Sequence, residues 1–120
     1  KKLDFFIEKK RNTLNYYQEN IKSADIKVKT FKEGELPWFF DVELNSEDEK
    51  EGLKKHLDKS GIETRDFYPA LSSQKYLDKY KSDKLEFSEN IYNKLLWLPS
   101  GNNLKDEQLS YICKTISDYK

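Results

Sequence analysis

The 120-residue chain has no methionine, one cysteine, one histidine, two arginines and four glycines. Each shortage narrows the chemistry available. A lone thiol, Cys113, forms neither an intrachain disulfide nor a cysteine metal cluster, so no metal site is expected, and a low-cysteine chain fits a reducing compartment. The glycines stand apart at 34, 52, 61 and 101, leaving no Gly-rich loop to cradle a phosphate. No apolar run approaches the roughly 18 residues that a membrane span needs, and no signal peptide or anchor is visible. Neither a membrane nor a lipid partner is expected, and the cytoplasm is the expected compartment. Without methionine there is no initiator residue, and Lys1-Lys2-Leu3 opens inside a helical pattern, so the natural polypeptide is expected to begin upstream.

What is present is charge and aromatic carbon. Charged residues make up 37% of the chain, with 22 of each sign, and aromatics at 14% can fill the core of one domain of this length. The balance conceals a split. Residues 1–32 carry nine Lys/Arg against four Asp/Glu, whereas residues 33–53 carry eight acids and one lysine, Lys50. A basic arm for nucleic acid is one reading of such a split. The lysines, however, alternate with apolar positions at helical spacing, which is the pattern of a solvated helix face, and no nucleic-acid motif accompanies them. Nucleic-acid binding is not expected.

The stripe Leu3, Ile7, Lys10, Leu14, Tyr17 and Ile21 predicts an amphipathic helix from about Leu3 to Asn20. Ile26 to Phe31 alternates with period two and predicts a strand; Gly34 and Pro37 turn the chain into a second, Trp38 to Leu44, in an antiparallel pair. Ser46 followed by Glu49 is a capping box for a helix over Glu47 to Lys59, with Leu53 and Leu57 inward. Gly61 closes that helix in the left-handed conformation, and Ile62 to Phe67 follows as a third short strand. Pro69 breaks the pattern. Ser72 to Lys81 is expected as loop or short helix, and Ser88 as the cap of a short helix ending near Leu96. Leu96 to Ser100 is expected as a buried strand-like segment ending in a turn, with Trp38 and Trp97 dominating the core. A last helix runs from about Lys105 to Tyr119 on Leu109, Ile112, Cys113 and Ile116. The fold class is α+β: a small, mostly antiparallel sheet of about three strands covered by helices.

Several short motifs follow one another along these elements: Pro37-Trp-Phe-Phe-Asp-Val, Gly61-Ile-Glu-Thr-Arg, Tyr68-Pro, Gln74-Lys-Tyr, Leu96-Trp-Leu-Pro-Ser and Asp106-Glu-Gln. Their succession resembles the C-terminal small domain of the DegT/DnrJ/EryC1/StrS aminotransferases, pyridoxal-phosphate enzymes that aminate keto groups on nucleotide-linked sugars. The resemblance implies a C-terminal domain like that of fold-type-I pyridoxal-phosphate-dependent transferases, with residues 1–21 a connecting helix and 22–120 the α+β domain. It also implies that the cofactor's lysine lies in a large domain outside these residues, so that the chain contains no catalytic residue, binds no cofactor alone and is inactive alone. The implied partners are a keto sugar nucleotide, an amino-acid donor such as glutamate, and a second subunit in a homodimer.

Arg65 is the first site candidate. In a lysine-rich chain a guanidinium stands here, and its planar fork suits a carboxylate or phosphate; the alternative is a surface arginine paired with Asp66 or Glu63. Tyr68 can hydrogen-bond a ligand or fill the core, and the core is the favoured reading. The resemblance adds Ser72 and Gln74 as substrate-binding positions. A histidine often stands at the position of Ser72 in this family; a serine donates a hydrogen bond but carries no charge near neutral pH. His56 reads as a partly exposed helix residue and Cys113 as core. Two other readings stay open: a free-standing binding module with this fold, and an unrelated lysine-rich α+β module.

Overall fold

The computed structural model of the protein describes residues 1–80 and 85–119. The segment expected from Ser72 to Lys81 ends on a residue outside that description, as does the last residue, Lys120. Helices α1 (Lys2–Asn20), α2 (Glu47–Lys59), α3 (Glu86–Ile91) and α4 (Asp106–Ser117) accompany strands β1 (Ile26–Val28), β2 (Phe40–Leu44), β3 (Arg65–Asp66) and β4 (Leu95–Leu98). The sheet has four strands in the order β1-β2-β4-β3, each antiparallel to its neighbour. The α+β class therefore stands, with four strands where about three were expected.

Alternation along the two central strands divides the sheet. Phe40, Val42 and Leu44 of β2 and Leu96 and Leu98 of β4 join Leu14, Tyr17, Leu53, Leu57, Leu109 and Ile116 of α1, α2 and α4 in one core. Asp41, Leu95 and Trp97 point the other way yet are also buried, which is why β4 reads as an uninterrupted apolar run. That run starts at Leu95, so the short helix does not continue to Leu96: α3 ends at Ile91, a 3₁₀ turn covers Tyr92–Lys94, and the strand takes over. Ser88 lies inside α3 and does not cap it, since the N-cap position is Leu85.

Helix α2 has the expected bounds. Ser46 Oγ accepts from the Glu49 amide at 3.2 Å, while the Glu49 carboxylate accepts from the Asn45 amide, one residue before the cap. Gly61 closes the helix at φ +73°, in the left-handed region that a side chain disfavours. Three expectations fail at the sheet's ends, the first being that of β1, which stops at Val28 and does not reach Phe31. Trp38 is 78% exposed, because the chain bends at Trp38 and Phe39 and the inward alternation begins only at Phe40. The third strand shrinks from Ile62–Phe67 to two residues. Its register sets Arg65 opposite Trp97, so Glu63 falls opposite Pro99, which has no amide hydrogen to extend the ladder.

In α1 the stripe is packed only towards its C-terminal end. Leu14, Tyr17 and the following Ile21 are buried, whereas Leu3, Phe5 and Phe6 are exposed. An apolar patch of this kind at one end of a helix favours association. The chain is expected to self-associate in a concentration-dependent way, and Phe5→Lys/Phe6→Lys to shift it towards monomer in sedimentation velocity; a wild-type monomer at high concentration would refute this. No helix among the described residues is long and apolar enough to cross a membrane.

Candidate functional site

Cross-strand register builds a row of side chains on the sheet face opposite the core. Arg65 of β3 pairs with Trp97 of β4, and Trp97 with Asp41 of β2. Lys29, just past β1, lies 3.5 Å from Asp41. Trp97 is the centre of an aromatic cluster. Phe39 stacks on it at 4.0 Å and 11°, and Phe67 and Tyr68 meet it edge to face at 5.5 and 4.9 Å. Beside this cluster, where Pro99 turns the chain away from the sheet, a cleft of about 730 Å³ opens. Its walls include Phe39, Arg65, Trp97, Asn103 and Tyr111. Among the described residues that line it, Arg65 is the one cation and Glu63 and Glu107 are the carboxylates, so an anionic group fits best at the Arg65 corner.

The guanidinium of Arg65 lies 3.7 Å from Glu63, with both side chains largely exposed. A pair in that setting is worth about 1 kcal/mol or less, so it competes weakly with a bound phosphate or carboxylate. Asp66 is not its partner; it binds Lys50 and Lys54 on the other face. Tyr68 is 68% exposed and does not fill the core, contrary to the favoured reading, because the short β3 ends before it and its ring rests on the rim of Trp97. Ser72 sits in a 3₁₀ turn, Leu71–Ser73, and is buried. Its Oγ, like Trp97 Nε1, has no hydrogen-bond partner among the described residues. Gln74 is half-buried and follows that turn, its amide donating to the Leu71 carbonyl at 3.1 Å. Arg65 lines the cleft; Tyr68 touches the shared indole; Ser72 and Gln74 lie on the following segment, outside the cleft walls.

Sequence reasoning missed Phe39 and Trp97 as cleft walls. The usable signal was the four-residue apolar run of β4, which demands burial on both faces. Lys10 was visible as a cation inside an apolar stripe, and it turns inward: Nζ donates to the Trp38 carbonyl at 3.0 Å and the Ser100 carbonyl at 2.7 Å. Burial lowers its pKa from the usual lysine value. His56 Nε2 lies 2.9 Å from the Thr115 carbonyl, away from the cleft. Cys113 is buried in the core, and burial pushes its thiol up to about 11, so it is no nucleophile at neutral pH.

Lys50 is the one buried lysine among the described residues. Burial pulls its pKa down, but hydrogen bonds and charge from Glu51 and Asp66 outweigh this and the net shift is upward. It therefore stays an ammonium ion and supplies no free amine.

Two carboxylates on opposite faces of the sheet, Asp41 and Asp66, shift in opposite directions. Burial, partly offset by Lys29, raises Asp41, whereas the hydrogen bonds from Lys54 and Lys50, opposed by partial burial, lower Asp66. For Asp41 the folded state holds its proton more tightly than the unfolded chain, so stability rises as pH falls from above its raised value towards the unfolded value of about 3.9. For Asp66 the stabilisation is present above about 3.9 and is lost as pH falls through its lowered value. Urea unfolding between pH 3 and 7 is expected to show Asp41→Asn at least as stable as wild type at pH 7. It should also show Asp66→Asn with a shallower acid loss. The reverse order of the two variants would contradict the assignment.

The fold agrees with that of solved relatives of this sequence. GDP-perosamine synthase of Escherichia coli O157:H7 is 33% identical over 97% of this chain, which covers 32% of that protein. The chain thus spans about a third of the length of the curated relatives it matches. A DegT DnrJ EryC1 StrS aminotransferase from Brucella abortus superposes with a TM-score of 0.80 at 25% identity, over 92% of this chain and 30% of that one. DesV of S. venezuelae, solved in complex with a ketimine intermediate, shares the fold at a TM-score of 0.83 and 22% identity, over 98% of this chain and 32% of that one. The model of the DegT/DnrJ/EryC1/StrS aminotransferase family matches residues 1–117, and the chain belongs to that family.

Proposed function

We propose that this chain is the C-terminal part of a pyridoxal-phosphate-dependent aminotransferase. The whole enzyme would move an amino group from an amino acid, glutamate, to a keto sugar nucleotide for amino-sugar and polysaccharide biosynthesis in the cytoplasm. The observation that carries this reading is the match of nearly the whole chain, at 33% identity, to one third of a GDP-perosamine synthase. Residues 1–21 act as the connecting helix and 22–120 as the α+β domain, in a polypeptide that works as a homodimer. Pyridoxal phosphate supplies an electron sink for the carbanionic stage of transamination. The described residues of this chain do not fit that cofactor, because the buried lysine is locked between two carboxylates; the fragment alone is accordingly inactive.

What these residues contribute is substrate binding. Arg65 presents two parallel N–H donors to a phosphate or carboxylate at one corner of the cleft. Tyr68 offers an exposed hydroxyl beside the aromatic cluster, and Gln74 an amide. Ser72 offers a buried hydroxyl whose unmet bond costs about 1–3 kcal/mol until an acceptor or donor arrives.

The test uses the native polypeptide that contains this chain, first weighed intact and then assayed for amination of keto sugar nucleotides. Arg65→Ala is expected to raise KM for the sugar nucleotide at least tenfold, equivalent to about 1.4 kcal/mol or more. Arg11→Ala, on the exposed side of α1, should leave it unchanged. Equal KM values for wild type and Arg65→Ala would remove Arg65 from the site. A native mass near that of this chain would favour a binding module without the chemistry.

A further inference from the structure

Strand β3 is the shortest in the sheet and lies at its edge, with two residues paired to β4. So little backbone pairing specifies register weakly, and a slip of one residue would carry every side chain of the strand to the opposite face. Arg65 lies across from Trp97 on the cleft face. Asp66 lies across from Leu96, whose side chain is in the core beneath α2 and α4. Four residues apart on α2, Lys50 and Lys54 share one helix face. Each takes one oxygen of Asp66: Lys50 Nζ is 3.1 Å from Oδ1 and Lys54 Nζ binds Oδ2. Glu51 completes the charge around Lys50, at 2.8 Å, and the Lys50 side chain is itself only 7% exposed.

This arrangement distinguishes the two registers. In the observed one, the carboxylate meets two ammonium groups and the guanidinium faces the cleft. In the slipped one, Arg65 would meet Lys50 and Lys54, and Asp66 would stand in the row that already holds the buried Asp41. The first exchange sets like charges together, and the second takes the carboxylate away from the two ammonium groups that hold it.

We propose that Asp66, gripped by Lys50 and Lys54, is the positioning residue that holds Arg65 on the cleft face of β3. The value of that position for substrate rests on the function proposed above; the positioning itself does not. It deals with no reacting atom and acts through Arg65 alone.

The experiment is amide hydrogen exchange and cross-strand NOE measurement at neutral pH on the native polypeptide that contains this chain. Asp66→Asn is expected to speed exchange of the β3 amides at least tenfold and to weaken the contact between residues 65 and 97. Exchange at Val42 in the central strand should change less than twofold, and Asp66→Glu should restore most of the protection at β3. Unchanged β3 exchange with an intact 65–97 contact would overturn the proposal. So would equal acceleration at β3 and Val42, which marks general softening and not local positioning. If Asp66→Asn does not fold, Lys54→Gln removes one grip and is held to the same local tenfold criterion. An Arg65→Ala enzyme with unchanged KM would sink the substrate role of Arg65 while leaving this exchange result intact.

Discussion

Replacing Trp97 by alanine is expected to cost about 3–5 kcal/mol, the range for truncating a large buried aromatic, and to lower Tm by on the order of 10–20 °C in a domain of this size. The residue is 7% exposed, sits mid-sheet between two neighbouring strands, and is touched by the rings of Phe39, Phe67 and Tyr68. Its removal empties the centre of that cluster and uncovers the cleft wall. Trp97→Phe should cost far less, about 1–2 kcal/mol, since most of the area stays and an indole N–H with no partner among the described residues is removed. Trp38→Ala, by contrast, should stay within about 0.5 kcal/mol, as for other surface substitutions. Thermal unfolding of the three variants checks the order, and a Trp38→Ala loss as large as that of Trp97→Ala would mean that the two indoles share the core after all.

The contrast between the tryptophans marks where local sequence stops informing. Helix α2 is legible to the residue because its signals are contiguous: a serine that accepts from the first turn, leucines at 53 and 57, and a glycine placed to close the helix. The buried stripe of α4 is legible for the same reason. Whether Trp38 or Phe39 faces the sheet depends instead on where a bend resets a two-residue period, and the reset comes from pairing β2 with β4, more than fifty residues away in the chain. The length of β3 depends on Pro99 falling opposite Glu63, a fact of register. Arg65 stood out by rarity in a lysine-rich chain. The clamp on Asp66 did not, since Lys50 and Lys54 look like any solvated lysines until the helix is laid across the strand.

The same reasoning makes Tyr17 the residue on which α1 depends. Tyr17→Ala is expected to cost about 3–5 kcal/mol, because the side chain is fully buried, meets Phe40 edge to face at 5.8 Å and donates to the Pro99 carbonyl at 2.7 Å. Most of a helix's stability in a protein comes from the packing of its apolar face, and the first two turns of α1 bury little, so its anchorage lies in Thr13, Leu14, Tyr17 and the Lys10 ammonium. Tyr17→Ala should therefore lower helical ellipticity as well as Tm, through release of α1. Tyr17→Phe separates packing from the hydrogen bond: it leaves the ring in place and the Pro99 carbonyl unmet, at about 1–2 kcal/mol, and should keep α1 docked. Pro99 and Ser100 both line the cleft, and Tyr17 and Lys10 hold their carbonyls from behind. Loosening that edge without unfolding the domain is thus expected to weaken ligand binding at the cleft in the complete enzyme, seen as a raised KM in Tyr17→Phe. A Tyr17→Phe enzyme with unchanged KM would show that the cleft rim needs no anchor from α1.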